Sequence, residues 1–359
     1  RDVYSFGRQN WFKAVGREHR AVRKAAGLFD QSSFAKFRLK GRDASAALSW
    51  IAANNVDKPD GSLIYTQMLN DRGGIECDLT LVRRAEDDYY IVTGTGFATH
   101  DFDWIRRNIP AGMDATLTDI TREKSVLSLM GPNARKVLQA VTEDDVSNPA
   151  FPFAQARDIT IAGVDVLALR ITYVGELGWE LHMPVEKAGE VYDVLMAAGA
   201  GHGLVNAGYR AIESLRLEKG YRAWGADIGP DHTPDEAGLG WAVKVKSGVA
   251  FKGREAVVAQ RKDGVKKRMG CFTPYDPEVV LLGRETIYRN GERVGWLTSG
   301  GYGYSIEKSI GYGYVRHPDG VDQTFLEAGE YELEVATERV KCTFHSGSLV
   351  DPGMKRIKS

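Results

Sequence analysis

A glutamate stands among apolar residues in the stretch YVGELGWELHMP, residues 173–184, which otherwise has the pattern of a buried strand. Glu180 lies between Trp179 and Leu181, and a carboxylate in such surroundings is costly unless a partner satisfies it. Because a carboxylate can accept two parallel N–H donors, a ligand that carries a guanidinium or 2-aminopyrimidine group would suit it. An internal ion pair with Arg216 is the alternative, and the residues alone do not separate the two.

A second carboxylate lies in the middle of the strand-like run GGIECDLTLV. Period-two alternation places Cys77 and Leu79 on one face, and Asp78 and Thr80 on the other. A solvated outer face is the simpler interpretation, and the residues alone favour it. The functional alternative is a carboxylate that lines a pocket beside the Gly73-Gly74 turn, where a ligand can approach the backbone closely.

Aromatic and imidazole side chains add further candidates. Trp241, in GLGWAVKV, is either a core residue or a ring that stacks on a flat ligand. His100, His182 and His232 could each serve as a base, but isolated histidines are more often structural or on the surface. No histidine is therefore assigned a catalytic role.

The pattern of elements predicts an α+β body followed by a small antiparallel β-barrel. Helices are predicted at 13–28, 44–55, 130–141, 185–199 and about 207–219. Strands are predicted at 34–41, 62–69, 75–84 and 89–96, and a further pair within 159–174 with Gly163 in the turn. Short turns between the strands of 62–96 indicate an antiparallel meander. In the tail, Asn290-Gly291 predicts a tight hairpin. We place the body at 1–266 and the barrel at 267–359, with the run KKR (266–268) as a linker.

Composition excludes several classes of protein. The chain has 47 basic and 48 acidic residues with no block of like charge, so neither nucleic acid nor a membrane is an expected partner. Three isolated cysteines and the lack of an HExxH motif predict no metal site. GTGFAT (94–99) lacks the third glycine of a dinucleotide fingerprint, so FAD or NAD binding by this chain is not expected. Cysteine usage favours a reducing compartment: the cytoplasm, or the mitochondrial matrix if the protein is eukaryotic.

Taken together, several motifs resemble the aminomethyltransferase (glycine cleavage T-protein) family, and more closely the folate-binding C-terminal half of dimethylglycine and sarcosine dehydrogenases. These motifs are YSFGRQNWF, LFDQSSFAKF, ANNVD, MLNDRGGIECDLT, MGPNAR, TYVGELGWELHMP, SLRLEKGYRAWGADI and TPDEAGLGWAVK. The resemblance runs from about residue 4 to the C-terminus. It implies a cloverleaf of two interwoven α+β subdomains and a C-terminal β-barrel, with tetrahydrofolate in the central channel.

The resemblance also implies roles for individual residues. Glu180 matches the family glutamate that binds the 2-amino and N3–H groups of the pterin, and Asp78 matches the acidic residue beside folate N5 and N10. The remaining cleft positions that match are Phe34, Tyr65, Tyr90, Val92, Phe153 and Trp241. One position departs from the family pattern, because Ile212 stands where T-proteins carry an arginine. The polar contact is therefore either missing or supplied by another residue, for which Arg210 is the candidate.

The implied function is tetrahydrofolate-dependent transfer of a one-carbon unit from an oxidised N-methyl amine, giving 5,10-methylenetetrahydrofolate. The amine oxidation would require FAD on a separate domain or partner, and the chain opens on Arg1 as a C-terminal half would. The expected partners are therefore a methylated small-molecule donor and a flavoprotein dehydrogenase. Two alternatives stay open: redox-neutral methyl transfer from a sulfonium, betaine or ether, and a non-catalytic folate-binding module.

Overall fold

Three β-sheets and the helices packed on them make up the chain in the computed structural model, which describes residues 1–3 and 7–359. Residues 4–6, which open the YSFGRQNWF motif, lie outside the described part. Two of the sheets form the body, and the third closes into a barrel at the C-terminal end. The predicted α+β fold with a C-terminal barrel is confirmed.

The first sheet, here called the meander sheet, has the strand order β3-β4-β5-β2-β6. Its strands are β2 (Ala35–Lys40), β3 (Leu63–Leu69), β4 (Ile75–Ala85), β5 (Asp88–Thr93) and β6 (Thr116–Asp119). Strands β3, β4 and β5 pair antiparallel as predicted. Helices α2 (Ala44–Ile51) and α3 (Ala98–Asn108) cover one face, where alternate residues such as Leu79 and Ile91 form a buried core.

The second sheet, here called the central sheet, has the order β11-β1-β7-β10-β9-β8. Its strands are β1 (Ala26–Asp30), β7 (Lys124–Met130), β8 (Ala156–Ile161), β9 (Val164–Leu169), β10 (Gly178–Pro184) and β11 (Leu204–Asn206). Helices α4 (Ala134–Gln139) and α5 (Ala188–Gly199) pack on one face, over Trp179 and Leu181. Strand β1 precedes the meander sheet and β7 follows it, so the chain passes between the two sheets and interweaves them.

Several predicted bounds are wrong for identifiable reasons. Helix α1 (Phe12–Lys24) ends before 26–28, because that apolar run pairs with β7 on one side and β11 on the other as strand β1. The turn predicted at Gly163 is confirmed, since Ala162 and Gly163 both take positive φ between β8 and β9, but the hairpin spans 156–169 instead of 159–174. Helix α4 starts at Ala134, two residues after Pro132.

The third sheet is a closed barrel in the order β12-β15-β14-β13-β16-β17. Its strands are β12 (Lys267–Pro274), β13 (Thr286–Arg289), β14 (Glu292–Gly303), β15 (Lys308–Arg316), β16 (Tyr331–Val335) and β17 (Glu338–His345). Asn290 and Gly291 have φ of 52° and 84°, as the predicted tight hairpin requires. KKR is not a linker, because Lys267 and Arg268 already pair with β15.

The remaining helices connect these parts. Helix α6 (Tyr209–Lys219) packs against α1 and against barrel strand β14, α7 (Arg254–Asp263) lies between body and barrel in the chain, and α8 (Gln323–Glu327) precedes β16. Helix α6 ends at Gly220, whose φ of 73° is the left-handed conformation typical of a residue just after a helix. In the described part of the chain, no helix is long and apolar enough to cross a membrane.

Candidate functional site

Asp78 lies on β4, on the face of the meander sheet opposite the core of α2 and α3. Its Oδ1 accepts hydrogen bonds from the Tyr65 hydroxyl at 2.6 Å and the Gln67 amide at 2.9 Å. Gln67 stands directly across the β3–β4 ladder from Asp78. Burial raises the pKa of Asp78 to about 6, although these two hydrogen bonds oppose the shift. The interpretation as a solvated outer face is therefore wrong.

Glu180 lies on β10 of the central sheet and is only 8% exposed. Among the described residues, its carboxylate makes an ion-pair contact with His182, whose Nε2 is 3.6 Å from Glu180 Oε2. The alternative of an ion pair with Arg216 is wrong, because that guanidinium binds Asp227 at 2.8 Å and also Glu213. Among the described residues, Glu180 thus lies buried with no arginine or lysine ion pair, as a residue that receives an external donor would.

The faces that carry the two carboxylates are turned toward each other. Tyr90 and Val92 of β5 pack with Leu169 of the central sheet in one apolar cluster. The Tyr90 hydroxyl spans the gap and lies 2.9 Å from His182 Nδ1. We call the region between these two faces, which carry Tyr65, Asp78, Tyr90, Glu180 and His182, the inter-sheet cleft. Asp78 and Glu180 thus lie on facing sheets, although they are about a hundred residues apart in the chain.

Aromatic rings line the same region. Trp241 is 72% exposed, and its ring stacks on Tyr65 with centroids 5.7 Å apart. Phe34 packs on the apolar cluster of Tyr90 and Val92. Phe153 precedes Ala154, whose carbonyl accepts the amide of Leu63 at the start of β3. Tyr65 and Trp241 therefore lie on the Asp78 side of the cleft, and Tyr90, Val92 and Phe34 lie on the side of His182 and Glu180. The role of Phe153 stays a prediction.

Arg210 is not brought to the cleft, and the expectation that it replaces the family arginine is wrong. Its guanidinium binds Asp2 at 2.6 Å and lies 4.2 Å from the ring centroid of Trp11. It lines a separate cavity of about 240 Å³ between α1, α6 and the barrel. Ile212 is buried in the apolar cluster of α1 and α6.

Three cleft residues were not assigned to the site from the sequence, although His182 was considered as a base. Gln67 donates a hydrogen bond to Asp78, and His182 Nε2 lies 3.6 Å from Glu180 Oε2. Arg222 is the third. Its positive charge opposes the rise that burial causes in the pKa of Asp78, and its carbonyl accepts a 2.7 Å hydrogen bond from Tyr173. His182 had a signal, since strand alternation puts it on the face of Glu180. Gln67 could not be assigned, because a bulge after Met68 shifts the register.

A second polar cluster lies beside α3, on a groove of about 910 Å³ that Glu76, His100 and Trp104 help to line. The donor atoms of Cys77, His100 and Asp101 there lie within 4.8 Å of one another. Asp101 accepts hydrogen bonds from Thr93 at 2.5 Å and from the His100 ring at 2.9 Å. The cluster is therefore satisfied by its own hydrogen bonds, and we do not assign a metal to it.

Comparisons with known proteins identify the two domains of the chain. Residues 2–247 match the model of the GCVT N-terminal domain, and residues 266–351 match the glycine cleavage T-protein C-terminal barrel domain. The crystal structure of the glycine cleavage system aminomethyltransferase T from Bartonella henselae superposes with a TM-score of 0.83 at 28% identity, over 94% of this chain and 90% of that one.

Two longer relatives are similar in sequence. Human mitochondrial sarcosine dehydrogenase is 42% identical over 99% of this chain and 40% of its own length. Human mitochondrial dimethylglycine dehydrogenase is 39% identical over 87% of this chain and 36% of its own length. The chain thus spans about two fifths of these relatives. With both domain models matched in order, this chain belongs to the aminomethyltransferase (glycine cleavage T-protein) family of folate-dependent one-carbon transfer proteins.

Proposed function

We propose that this chain binds tetrahydrofolate in the inter-sheet cleft, with the pterin on Glu180. The observation that carries the proposal is a buried carboxylate whose ion-pair contact, among the described residues, is a histidine 3.6 Å away. The 2-amino and N3–H groups of a pterin are two parallel donors that would satisfy it. The stacked Tyr65 and Trp241 rings offer a flat apolar wall beside Asp78.

Asp78 is proposed to stabilise positive charge and to move a proton at the reacting nitrogen. Its pKa of about 6 leaves it largely ionised at pH 7, close enough to exchange a proton readily. Tyr65 and Gln67 both donate to Oδ1, so they hold the carboxylate in one orientation and leave Oδ2 for a ligand. A preoriented carboxylate in a partly dehydrated cleft stabilises a cation more strongly than one in water.

The reaction we propose is capture of the one-carbon unit of an oxidised N-methyl amine, of the dimethylglycine or sarcosine type. Bound tetrahydrofolate would supply the nucleophilic nitrogens, and 5,10-methylenetetrahydrofolate and the demethylated amine would leave. The names of the two dehydrogenases support this donor class. Oxidation would fall to FAD on a flavoprotein domain or partner, in the cytoplasm or the mitochondrial matrix.

A binding experiment tests the site. Calorimetric titration with tetrahydrofolate compares wild type, Glu180→Gln and, as a matched control, the exposed Glu186→Gln two residues after β10. We expect micromolar binding by wild type and the control, and at least about tenfold weaker binding by Glu180→Gln, since a charge-assisted pair is worth about 1.5–3 kcal/mol. No binding by wild type, or equal binding by all three, contradicts the proposal.

A product assay tests the reaction. The chain is mixed with tetrahydrofolate and an N-methyl amine that a separate flavoprotein oxidises in situ, while semicarbazide traps free formaldehyde. We expect 5,10-methylenetetrahydrofolate to form with wild type, and Asp78→Asn to form it about 10²–10⁴ times more slowly while still binding folate. 5-Methyltetrahydrofolate made directly from an unoxidised methyl donor would instead favour redox-neutral methyl transfer. Folate binding without either product would favour a binding module.

A further inference from the structure

His182 is buried in the inter-sheet cleft with one ring nitrogen satisfied and the other not. The side chain is 1% exposed, and Nδ1 lies 2.9 Å from the Tyr90 hydroxyl. Nε2 has no hydrogen-bond partner among the described residues, and it points toward Glu180 Oε2 at 3.6 Å. Leaving a buried polar atom unpaired is costly in a native protein, so this atom requires an explanation.

The surroundings select one protonation state and one tautomer for the ring. Burial lowers the pKa of His182, and Lys36 and Lys124 lower it further against the opposing effect of Glu180, so the imidazole is neutral near pH 7. A neutral imidazole has one donor and one acceptor. The tautomer with hydrogen on Nε2 lets Nδ1 accept from Tyr90 and directs an N–H at the Glu180 carboxylate. The other tautomer would direct a lone pair at that negative charge.

Packing holds the ring in this direction. His182 and Tyr90 meet edge to face with centroids 5.5 Å apart, and both side chains are buried. His182 and Glu180 are two residues apart on β10, so their side chains share one face of the strand. The residue that can rotate to close the 3.6 Å gap is therefore the glutamate, whose longer side chain reaches into the cleft.

We propose that His182 is a positioning residue: through a Tyr90–His182–Glu180 chain it sets the orientation in which Glu180 receives the pterin. On ligand binding, the gap between Nε2 and Oε2 would shorten to a hydrogen bond. Glu180 would then accept donors from the ligand on one side and from His182 on the other. This inference rests on the proposed function, because it assigns a support to the same ligand site.

The test is a double-mutant cycle measured by tetrahydrofolate titration. His182→Leu keeps the volume but removes the donor, and we expect folate to bind about 10–150 times more weakly, as for the loss of one hydrogen bond to a charged group. His182→Gln restores a donor amide near the Nε2 position and should bind within about threefold of wild type. In the Glu180→Gln background, His182→Leu should add little. An equal loss in both backgrounds would mean that His182 does not act through Glu180, and would overturn the inference.

A second readout does not depend on folate. Nitrogen-15 NMR of the histidine rings reports which nitrogen carries the proton, and we expect the Nε2–H tautomer for His182 in the ligand-free chain. Glu180→Gln should shift the Nε2 signal, whereas the exposed Glu186→Gln should not. An Nδ1–H tautomer contradicts the inference even if folate binds. The predicted tautomer in a chain that does not bind folate would show that the proposed function, and not the histidine–glutamate contact, is at fault.

Discussion

Two buried polar regions of this molecule differ in how completely their charges are paired. Around Arg23 of α1, the guanidinium donates to Glu218, Glu176 and the carbonyls of Val174 and Leu215. All of its nitrogens are used, and the distances run from 2.6 to 3.1 Å. This cluster connects α1 to α6 and to the turn before β10. Every N–H group of the Arg23 guanidinium already donates a hydrogen bond within it.

The inter-sheet cleft is the opposite case. Asp78 accepts from the neutral hydroxyl of Tyr65, and Glu180 has a histidine nitrogen 3.6 Å away. That nitrogen, His182 Nε2, has no hydrogen-bond partner in the described structure. A protein that required only stability would pair or replace these groups. The comparison teaches that incomplete satisfaction, and not burial of charge by itself, distinguishes the ligand site from the structural cluster.

The largest effect is expected from breaking the paired region. Arg23→Met removes the guanidinium and leaves Glu176 and Glu218 buried without it, which should lower the free energy of unfolding by about 3–5 kcal/mol. Urea titration followed by fluorescence measures this loss. The control is Arg20→Met on the same helix, where an exposed guanidinium lies 5.6 Å from the Tyr304 ring. A loss below about 1 kcal/mol for Arg23→Met would show that the cluster contributes little to the stability of the fold.

In the cleft, removing a charge should stabilise the protein. Burial raises the pKa of Asp78 from 3.8 to about 6, so the native state holds its proton more tightly than the unfolded chain does. The contribution of Asp78 to the free energy of unfolding of wild type therefore falls as pH rises from about 4 to about 6. Above about pH 6 this loss of stability stays constant. Asp78→Asn keeps an oxygen for Tyr65 and Gln67 but cannot ionise.

We expect Asp78→Asn to be more stable than wild type by about 1–3 kcal/mol at pH 7.5, since one pKa unit is worth 1.36 kcal/mol. The difference should vanish near pH 4. Urea midpoints across this pH range measure it, with the exposed Glu86→Gln of the following turn as a control. If Asp78→Asn is instead less stable at pH 7.5, the carboxylate is paired in the native state, and the contrast between the two regions fails.

Sequence patterns predicted the meander sheet and the C-terminal hairpin because local signals determine them. Alternation in 75–84 and the Asn290-Gly291 turn act over a few residues. Strand β1 was missed because its conformation depends on β7 and β11, which are about a hundred or more residues away in the chain. A helical interpretation of 26–28 is locally sound, and only tertiary pairing overturns it.

Sequence reasoning about the candidate site meets the same limit. Glu180 and Asp78 came from motifs, but which way each strand face points is set by packing of one sheet on the other. That is why Asp78 looked solvated from alternation alone. Arg210 was chosen for its type and its proximity to Ile212 in sequence, yet residues two apart on a helix do not share a face. Its partners, Asp2 and Trp11, are about two hundred residues away in the chain.

The smallest effect is expected at the rim of the cleft, where Trp241 is 72% exposed and stacks on Tyr65. Trp241→Ala should change the free energy of unfolding by no more than about 0.5 kcal/mol, because little of the ring is buried. If the ring is a wall for a flat ligand, the same substitution should weaken tetrahydrofolate binding by about 0.5–1.5 kcal/mol. Trp50→Ala, at a partly exposed tryptophan on α2 behind the meander sheet, is the control and should leave binding unchanged. Unchanged binding in Trp241→Ala would confine the ligand site to the buried residues. The site would then be defined by its buried groups that lack hydrogen-bond partners, and not by the exposed ring.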